Sequence, residues 1–403
     1  MFDAKSISEK AKADTKKAVD FLSEIVQIES FDNQEKKAAE RVVQEMQVCG
    51  FDKIYVDPMG NVIGSMGTGD TVIAFDGHID VVGVGDLSQW TSHPFSGDVH
   101  DGRLWGRGSA DQKSGVAAMI YAAKNMKELG MLDGLTILVV ASVNEEDCDG
   151  LCWQYLYKEQ KLRPEFVVLT EPSDRNIYRG QKGRMALKIS TKGISAHGSV
   201  PEKGENAIYK MAPIILDIEK LNKELPYHAE LGWGTITISQ IYFSSASSCA
   251  VADGCSIILD RRLTYGETKE QVINQLLELE SVKESKALVE IIQYNIPTYT
   301  GLIYPTECHF PSWITSEDAP CVKSAIQAYR ILFEEDPKVD KWVFSTNGVA
   351  ISGLFGVPCI GYGPGDASEA HKANESVRIS DITDAIAMYM FIPQIYLESK
   401  IKY

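Results

Sequence analysis

The chain has 403 residues, 44% hydrophobic and 24% charged, an ordinary globular composition with room for two or three domains of about 150 residues each. Its net charge of -16, from 40 basic and 56 acidic residues, repels phosphate-rich partners and excludes nucleic acid as the expected ligand. Met1 to Lys17 is polar and mixed in charge, and no run reaches the roughly 18 apolar residues of a membrane span, so a cytoplasmic protein without membrane contact is expected.

Ala18, Leu22, Ile25 and Val26 recur at helical spacing, as do Ala39, Val42, Val43 and Met46 before the stop at Gly50, so two amphipathic helices open the chain. Short β-rich runs follow at Lys53 to Val56, Asn61 to Ser65 and Thr71 to Phe75, separated by turn residues. Lys113 to Leu129 reads as a long helix closed by Gly130. Beyond it, Leu135 to Val143 and Phe166 to Leu169 are nearly continuous apolar, β-branched runs, the pattern of strands buried on both faces. This alternation of strand and helix predicts an α/β domain on a parallel sheet.

From about Gly183 the pattern changes. Met185 to Thr191, Asn206 to Leu221, Thr235 to Tyr242, Cys255 to Leu263, Lys269 to Leu277 and Ala287 to Gln293 read as β-α-β-β-α-β, a split βαβ sandwich complete in itself. It is expected as an inserted α+β domain over 183–296, dividing the first domain into 1–182 and 297–403. A helix near Cys321 to Phe333, a strand near Pro358 to Tyr362 and a final helix near Ile382 to Tyr396 resume the earlier pattern. The eight cysteines form no paired Cys-x-x-Cys framework, and free thiols are expected. Cys148 with Cys152, and Cys308 beside His309, lack the companion ligands of a zinc knuckle.

In an open parallel sheet, ligands bind at the carboxyl ends of the strands, and that rule selects residues here. Gly77-His78-Ile79-Asp80 places an imidazole and a carboxylate two apart just past the run ending at Phe75, on one side of an extended chain. A carboxylate that accepts one imidazole N–H leaves the other ring nitrogen free to hold a cation. Glu145 and Glu146 follow the run ending at Val143, Glu171 follows the run ending at Leu169, His371 follows the strand near Tyr362, and Asp111 precedes the long helix. Each alone has an ordinary structural explanation, such as helix capping for Asp111. Together at successive strand ends, two histidines and three carboxylates offer the mixed N/O ligation of Zn²⁺, with Co²⁺ or Mn²⁺ as substitutes. A pair of ions joined by a bridging carboxylate uses five ligands and leaves Glu145 over, placed to take a proton from an ion-activated water.

These segments resemble a known family. Gly77-His78-Ile79-Asp80, Gly106-Arg107-Gly108-Ser109-Ala110-Asp111-Gln112-Lys113-Ser114-Gly115, Asn144-Glu145-Glu146, Thr170-Glu171-Pro172 and Ala370-His371-Lys372-Ala373-Asn374-Glu375 are similar to the signature set of the co-catalytic zinc metallopeptidases that include aminoacylase, acetylornithine deacetylase and succinyl-diaminopimelate desuccinylase. The resemblance implies a zinc-peptidase-like α/β catalytic domain, its sheet mixed but mostly parallel, with an inserted ferredoxin-like lid and dimerisation domain. It also implies two metal ions per chain: Asp111 bridges, His78 and Glu171 hold one ion, Glu146 and His371 the other, Glu145 acts as general base on the bridging water, and Asp80 orients His78. Gly193-Ile194-Ser195-Ala196-His197 with Gly204-Glu205-Asn206 is similar to the family's lid, which implies that His197 steadies the oxyanion of a neighbouring active site in a homodimer. Asp260-Arg261-Arg262 is similar to its Asp-x-Arg, making Arg262, along with Asn206, an expected substrate contact; a guanidinium fork suits a carboxylate.

The chain departs from the family pattern in two places. Cys249-Ala250-Val251-Ala252-Asp253 replaces an Asn-x-Val/Ile-Pro-Asp segment, and Ser345-Thr346-Asn347-Gly348 replaces a Gly-Gly-Thr-Asp-like turn. With Gly361-Tyr362-Gly363-Pro364-Gly365-Asp366, these variants are most similar to the selenium-metabolism-linked hydrolase subgroup. The expected activity is hydrolysis of the amide bond of a small N-acyl amino acid or dipeptide-like compound. The alternatives are a ureido or N-carbamoyl amidohydrolase on the same scaffold, and a binding protein that has lost the chemistry.

Overall fold

The computed structural model describes residues 3–401; positions 1–2 and 402–403, the outer ends of the expected catalytic domain, lie outside them. Its larger sheet has nine strands. Across the sheet run Lys53–Val56, Val62–Met66, Leu135–Ser142, Thr71–His78, Phe166–Leu169, Cys359–Gly361, Ile177–Gln181 and Trp313–Ile314, with Val339–Trp342 also paired to Ile177–Gln181. The four middle strands, from Leu135–Ser142 to Cys359–Gly361, are mutually parallel, and the flanking pairs are mostly antiparallel. The middle strands are the β-branched runs, buried on both faces as their composition requires. Lys53–Val56 and Val62–Met66 form a hairpin whose turn is tied by Asp57, which accepts from the Gly60 and Asn61 amides and the Asn61 side chain.

Helices Ala4–Val26, Ser114–Glu128, Pro320–Phe333 and Ile379–Ile401 pack against one another beside this sheet. Ile379–Ile401 is buried nearly all round from Ala385 to Ile392, as expected of a helix apolar on every side. Lys113, just ahead of Ser114–Glu128, is fully buried and donates to the carbonyls of Ile25 and Ile28 at 2.9 and 3.0 Å, satisfying acceptors at the end of the first helix.

The smaller sheet runs Thr235–Ser244, Gly254–Leu263, Gly183–Lys192, Leu288–Ile291, all antiparallel, with helices Ala207–Leu221 and Lys269–Glu278 completing the β-α-β-β-α-β order. Gly183–Lys192 and Gly254–Leu263 alternate buried and half-buried positions along their lengths. Met185, Leu187, Ile189, Ile257 and Leu259 enter a core of their own with Met211, Ile214 and Val272. A fifth strand, His309–Phe310, pairs with Met185 and Arg184, so the sheet takes in residues beyond position 296. The strands Ile177–Gln181, Trp313–Ile314 and Val339–Trp342 carry no strong sequence signal; they are strands because neighbours pair with them. No helix among the described residues is long and apolar enough to cross a membrane.

Gly115 opens the helix Ser114–Glu128 against the strand end at Thr170. A Cβ there would stand 2.6 Å from the Thr170 carbonyl oxygen and 2.7 Å from the Thr170 Cβ. Gly115→Ala is therefore expected to lower the unfolding free energy by about 1–3 kcal/mol through overpacking, measured by urea denaturation; an unchanged midpoint would show that the helix has room to shift.

Candidate metal centre

The parallel strands deliver their terminal residues to one rim. His78 ends Thr71–His78, Glu145 and Glu146 lie just past Leu135–Ser142, and Glu171 lies just past Phe166–Leu169. Asn144, at φ 58°, takes the left-handed conformation that Asn tolerates and turns the chain at the strand end before the two glutamates. Asp111 lies in the turn before helix Ser114–Glu128, and His371 lies in the long connection after Cys359–Gly361.

All six side chains converge. His78 Nε2 is 3.1 Å from Asp111 Oδ1 and 3.9 Å from both Glu145 Oε2 and Glu171 Oε1. His371 Nε2 is 3.3 Å from Asp111 Oδ2 and 3.1 Å from Glu146 Oε2. Each oxygen of Asp111 thus faces a different imidazole, the geometry a bridging carboxylate needs. Two ligand triads are close enough to grip an ion: His78, Glu145, Glu171 and His78, Asp111, Glu146. Glu145 stands as close to His78 as Glu171 does, so by distance alone either could be the ligand on that side.

Crowding four carboxylates in a buried rim shifts their protonation. Burial, reinforced by neighbouring negative charge, pushes Glu145, Glu146 and Glu171 upward. Burial would raise Asp111 too, but hydrogen bonds from His371 and His78 outweigh it and hold the carboxyl well below its usual range. Donating toward the Asp111 carboxylate first and the Glu146 carboxylate second lifts His371 to about 10. This donor set fits a divalent cation, whose charge would take over the neutralising role that protons and imidazolium otherwise fill.

The supporting contacts differ from the expectation for Asp80. His78 Nδ1 lies 2.9 Å from the Asp80 backbone oxygen, while the nearer carboxylate oxygen is 3.8 Å away. The main chain therefore orients the imidazole, and the Asp80 carboxylate instead accepts from the Glu146 amide at 2.9 Å, pinning the loop that carries both glutamates. Asn206 is likewise a structural residue in its own chain: its side chain caps helix Ala207–Leu221 by accepting from the Ile208 amide at 2.9 Å, because the first turn's amides need acceptors. His197 is exposed, its Nδ1 engaged by Ser199, and lies outside the cavity of its own chain. Arg262 does reach the cavity, which has a volume of about 350 Å³ and is also lined by Asp111, Glu145, Glu146 and Glu171.

Sequence reasoning missed Glu375. Fully buried, its carboxylate accepts from Arg107 at 2.7 Å and from the amides of Gly108, Ala110 and Asp111 at 3.1, 2.8 and 3.0 Å. It fastens the turn carrying Asp111 to the segment carrying His371. The sole signal was its place at the end of the His371 motif. Asn347 was read as part of a variant turn; it lies below the rim, donating to Asp76 and Ser142 and accepting from Gly150.

Glu375→Gln keeps the size but loses acceptors, and is expected to weaken divalent-metal affinity by about 10–100-fold with the fold retained, read by metal titration and circular dichroism. Affinity unchanged within twofold would remove Glu375 from this role. Because His371 must lose the proton that it holds up to about pH 10, metal binding is expected to release protons and to tighten as pH rises from 6 to 8. Calorimetry in buffers of different ionisation enthalpy measures that release, and pH-independent binding would contradict it.

The sequence pattern of peptidase family M20/M25/M40 matches residues 74–393, which spans every one of these rim residues. The chain is 48% identical over 396 residues to the uncharacterised protein YgeY of Escherichia coli, covering 98% of each. It is 25% identical to a probable succinyl-diaminopimelate desuccinylase of Staphylococcus epidermidis, covering 94% of this chain and 97% of that one. Among solved structures, a tripeptidase from Staphylococcus aureus superposes with a TM-score of 0.71 at 21% identity, over 95% of this chain and 99% of that one. A dinuclear metal-binding peptidase of the M20 family from Bacillus subtilis does so with a TM-score of 0.71 at 14% identity, over 96% and 99%. These two share the fold. The extent of the family match and of the full-length relatives decides the assignment: the chain belongs to peptidase family M20/M25/M40 and is a metal-dependent hydrolase of amide bonds.

Proposed function

We propose that the protein cleaves the amide bond of a small N-acyl amino acid or dipeptide-like substrate, with Glu145 as its proton shuttle. The observation that carries this reading is the state of Glu145 itself. Its side chain is buried, lines the cavity, and keeps Oε1 without a hydrogen-bond partner. Asp76, Asp80 and Asp149 also keep an unpaired oxygen, but of these four Glu145 is the one that both lines the cavity and stands beside His78, at 3.9 Å, where a carboxylate can work in turnover. Burial and the charges of Glu171 and Asp149 raise its proton affinity, which suits a group that first accepts a proton from water and then returns it to the leaving amine.

His78, Asp111, Glu146, Glu171 and His371 would hold two divalent ions, Zn²⁺ by the mixed N/O donor set, with Co²⁺ or Mn²⁺ as substitutes. When bound, such ions acidify water and polarise a carbonyl. Asp111 sets the spacing of the two halves, Asp80 fixes the Glu145–Glu146 loop, and Glu375 fixes Asp111.

The separate core of the smaller sheet supports a lid domain over 183–296 set into a catalytic domain of 1–182 and 297–403. Its edge strand Thr235–Ser244 leaves Ile241, Tyr242 and Phe243 more than half exposed, an edge that a second copy would cover in a homodimer. In that arrangement His197, turned from its own cavity, would serve the oxyanion of the partner's reaction.

The test is a screen of the metal-loaded protein against N-acetyl and N-succinyl amino acids, N-carbamoyl amino acids and dipeptides. Hydrolysis of an N-acyl amino acid or dipeptide is expected; turnover confined to N-carbamoyl compounds would overturn the proposal. Glu145→Gln is expected to lower kcat by about 10³-fold or more while metal content by mass spectrometry stays at the wild-type level. Full activity in that variant would dismiss Glu145 as the base.

A further inference from the structure

The turn at 345–348, where the sequence departs from the family pattern, meets the cavity. Ser345 and the preceding Phe344 both line its wall. Among the described residues that do so, Phe344 alone carries a large apolar side chain; the rest are acidic, basic (Arg184 and Arg262), small, or the imidazole of His371. No step of the hydrolysis uses this ring, and it is only partly taken up by the core. An aromatic face left partly open inside a ligand cavity gains most from apolar surface brought against it.

The ring is held from behind. Its centroid lies 5.9 Å from that of Trp342, which is buried at the end of Val339–Trp342. The Trp342 indole N–H donates to the Pro172 carbonyl at 3.1 Å, tying the aromatic pair to the segment that carries Glu171. Gly361 makes room for the indole, because a Cβ there would run into its Cη2 and Cζ2 atoms. The turn is fastened as well: the buried Gln181 donates from Nε2 to Ser345 Oγ at 3.3 Å and accepts at Oε1 from Thr346 Oγ1 at 2.6 Å. Phe344 is thus a braced part of the wall, which discrimination between substrates by shape requires. Ala367 and Ala370, on the segment leading to His371, line the same cavity with side chains small enough to leave space in it.

We infer that Phe344 is a specificity-determining residue that receives an apolar group of the substrate, in space that Ala367 and Ala370 leave open. The inference rests on the amide-hydrolase reading and narrows it. The preferred substrates carry an aromatic or branched aliphatic group on one side of the scissile amide, and compounds that offer only a methyl group or a charge there are poor. A cavity of about 350 Å³ suits one group of benzyl or isobutyl size beside the reacting amide.

The experiment measures two series on the metal-loaded protein and its Phe344→Ala and Phe344→Leu variants. One series is N-acetyl phenylalanine, leucine, alanine and aspartate; the other is glycine acylated with phenylacetyl, isovaleryl, acetyl and succinyl groups. Wild type is expected to favour the apolar members of one series by about tenfold or more in kcat/KM over its methyl-bearing member. Phe344→Ala is expected to collapse that ratio to about twofold or less, chiefly by raising KM for the apolar compounds. Phe344→Leu should keep the aliphatic preference and lose the aromatic one, and it carries the test if Phe344→Ala does not fold. The absence of an apolar preference in both series overturns the inference, as does a preference that survives Phe344→Ala. An equal loss on every compound leaves the ratio intact and counts the same way. Calorimetric binding of these compounds to Glu145→Gln, with and without Phe344→Ala, separates the two readings. Apolar compounds that bind through Phe344 but are never hydrolysed by wild type would sustain the inference and sink amide hydrolysis. Hydrolysis without Phe344-dependent discrimination would do the reverse, and failure of every compound to bind or react would sink both.

Discussion

Four carboxylates and two imidazoles share a rim only a few ångströms across, and most of that rim is out of water. Such a cluster is electrostatically unfavourable unless positive charge enters it. Protons and imidazolium meet that need partway, which is why Glu145, Glu146 and Glu171 are pushed upward while Asp111, bracketed by two histidines, is pushed down. Divalent ions meet it more fully and convert the cost into an affinity. The placement of these groups on rigid parallel strands keeps them from relaxing apart.

The surroundings work to hold that crowd in register. Glu375 ties the Asp111 turn to the His371 segment through three backbone amides and the buried Arg107, so two ligands from distant parts of the chain move as one. Asp80 does the same for the Glu145–Glu146 loop, while its backbone oxygen sets the His78 ring. Asn347 ties the strands beneath through Asp76 and Ser142. Each of these contacts joins buried polar groups, which rigidifies the site around Glu145.

Much of this was legible without coordinates. The β-branched runs of Leu135–Ser142 and Phe166–Leu169 announce doubly buried strands, and the rule that ligands gather at their carboxyl ends leads straight to His78, Glu145, Glu146 and Glu171. The β-α-β-β-α-β order was readable too, because each element has its own periodicity. The contacts of Asp80 and Asn206 were not. Whether the Asp80 carboxylate or carbonyl meets His78 depends on a local backbone path, and Asn206 is used by its own helix. Arg184 looks like any strand residue until its partner across the ladder is known to be Arg262.

The sequence by itself determined what is local or periodic: which segments become strands and helices, which side chains can ligate a metal, and that they stand at strand ends. Those properties follow from residue spacing and composition, which need no knowledge of distant neighbours. Only the tertiary structure decided the contacts between segments far apart in the chain. It matched both oxygens of Asp111 to different histidines, gave Glu375 its three amides, and extended the smaller sheet with His309–Phe310. It also set Arg184 directly opposite Arg262, a juxtaposition that exists only once the strands are in register.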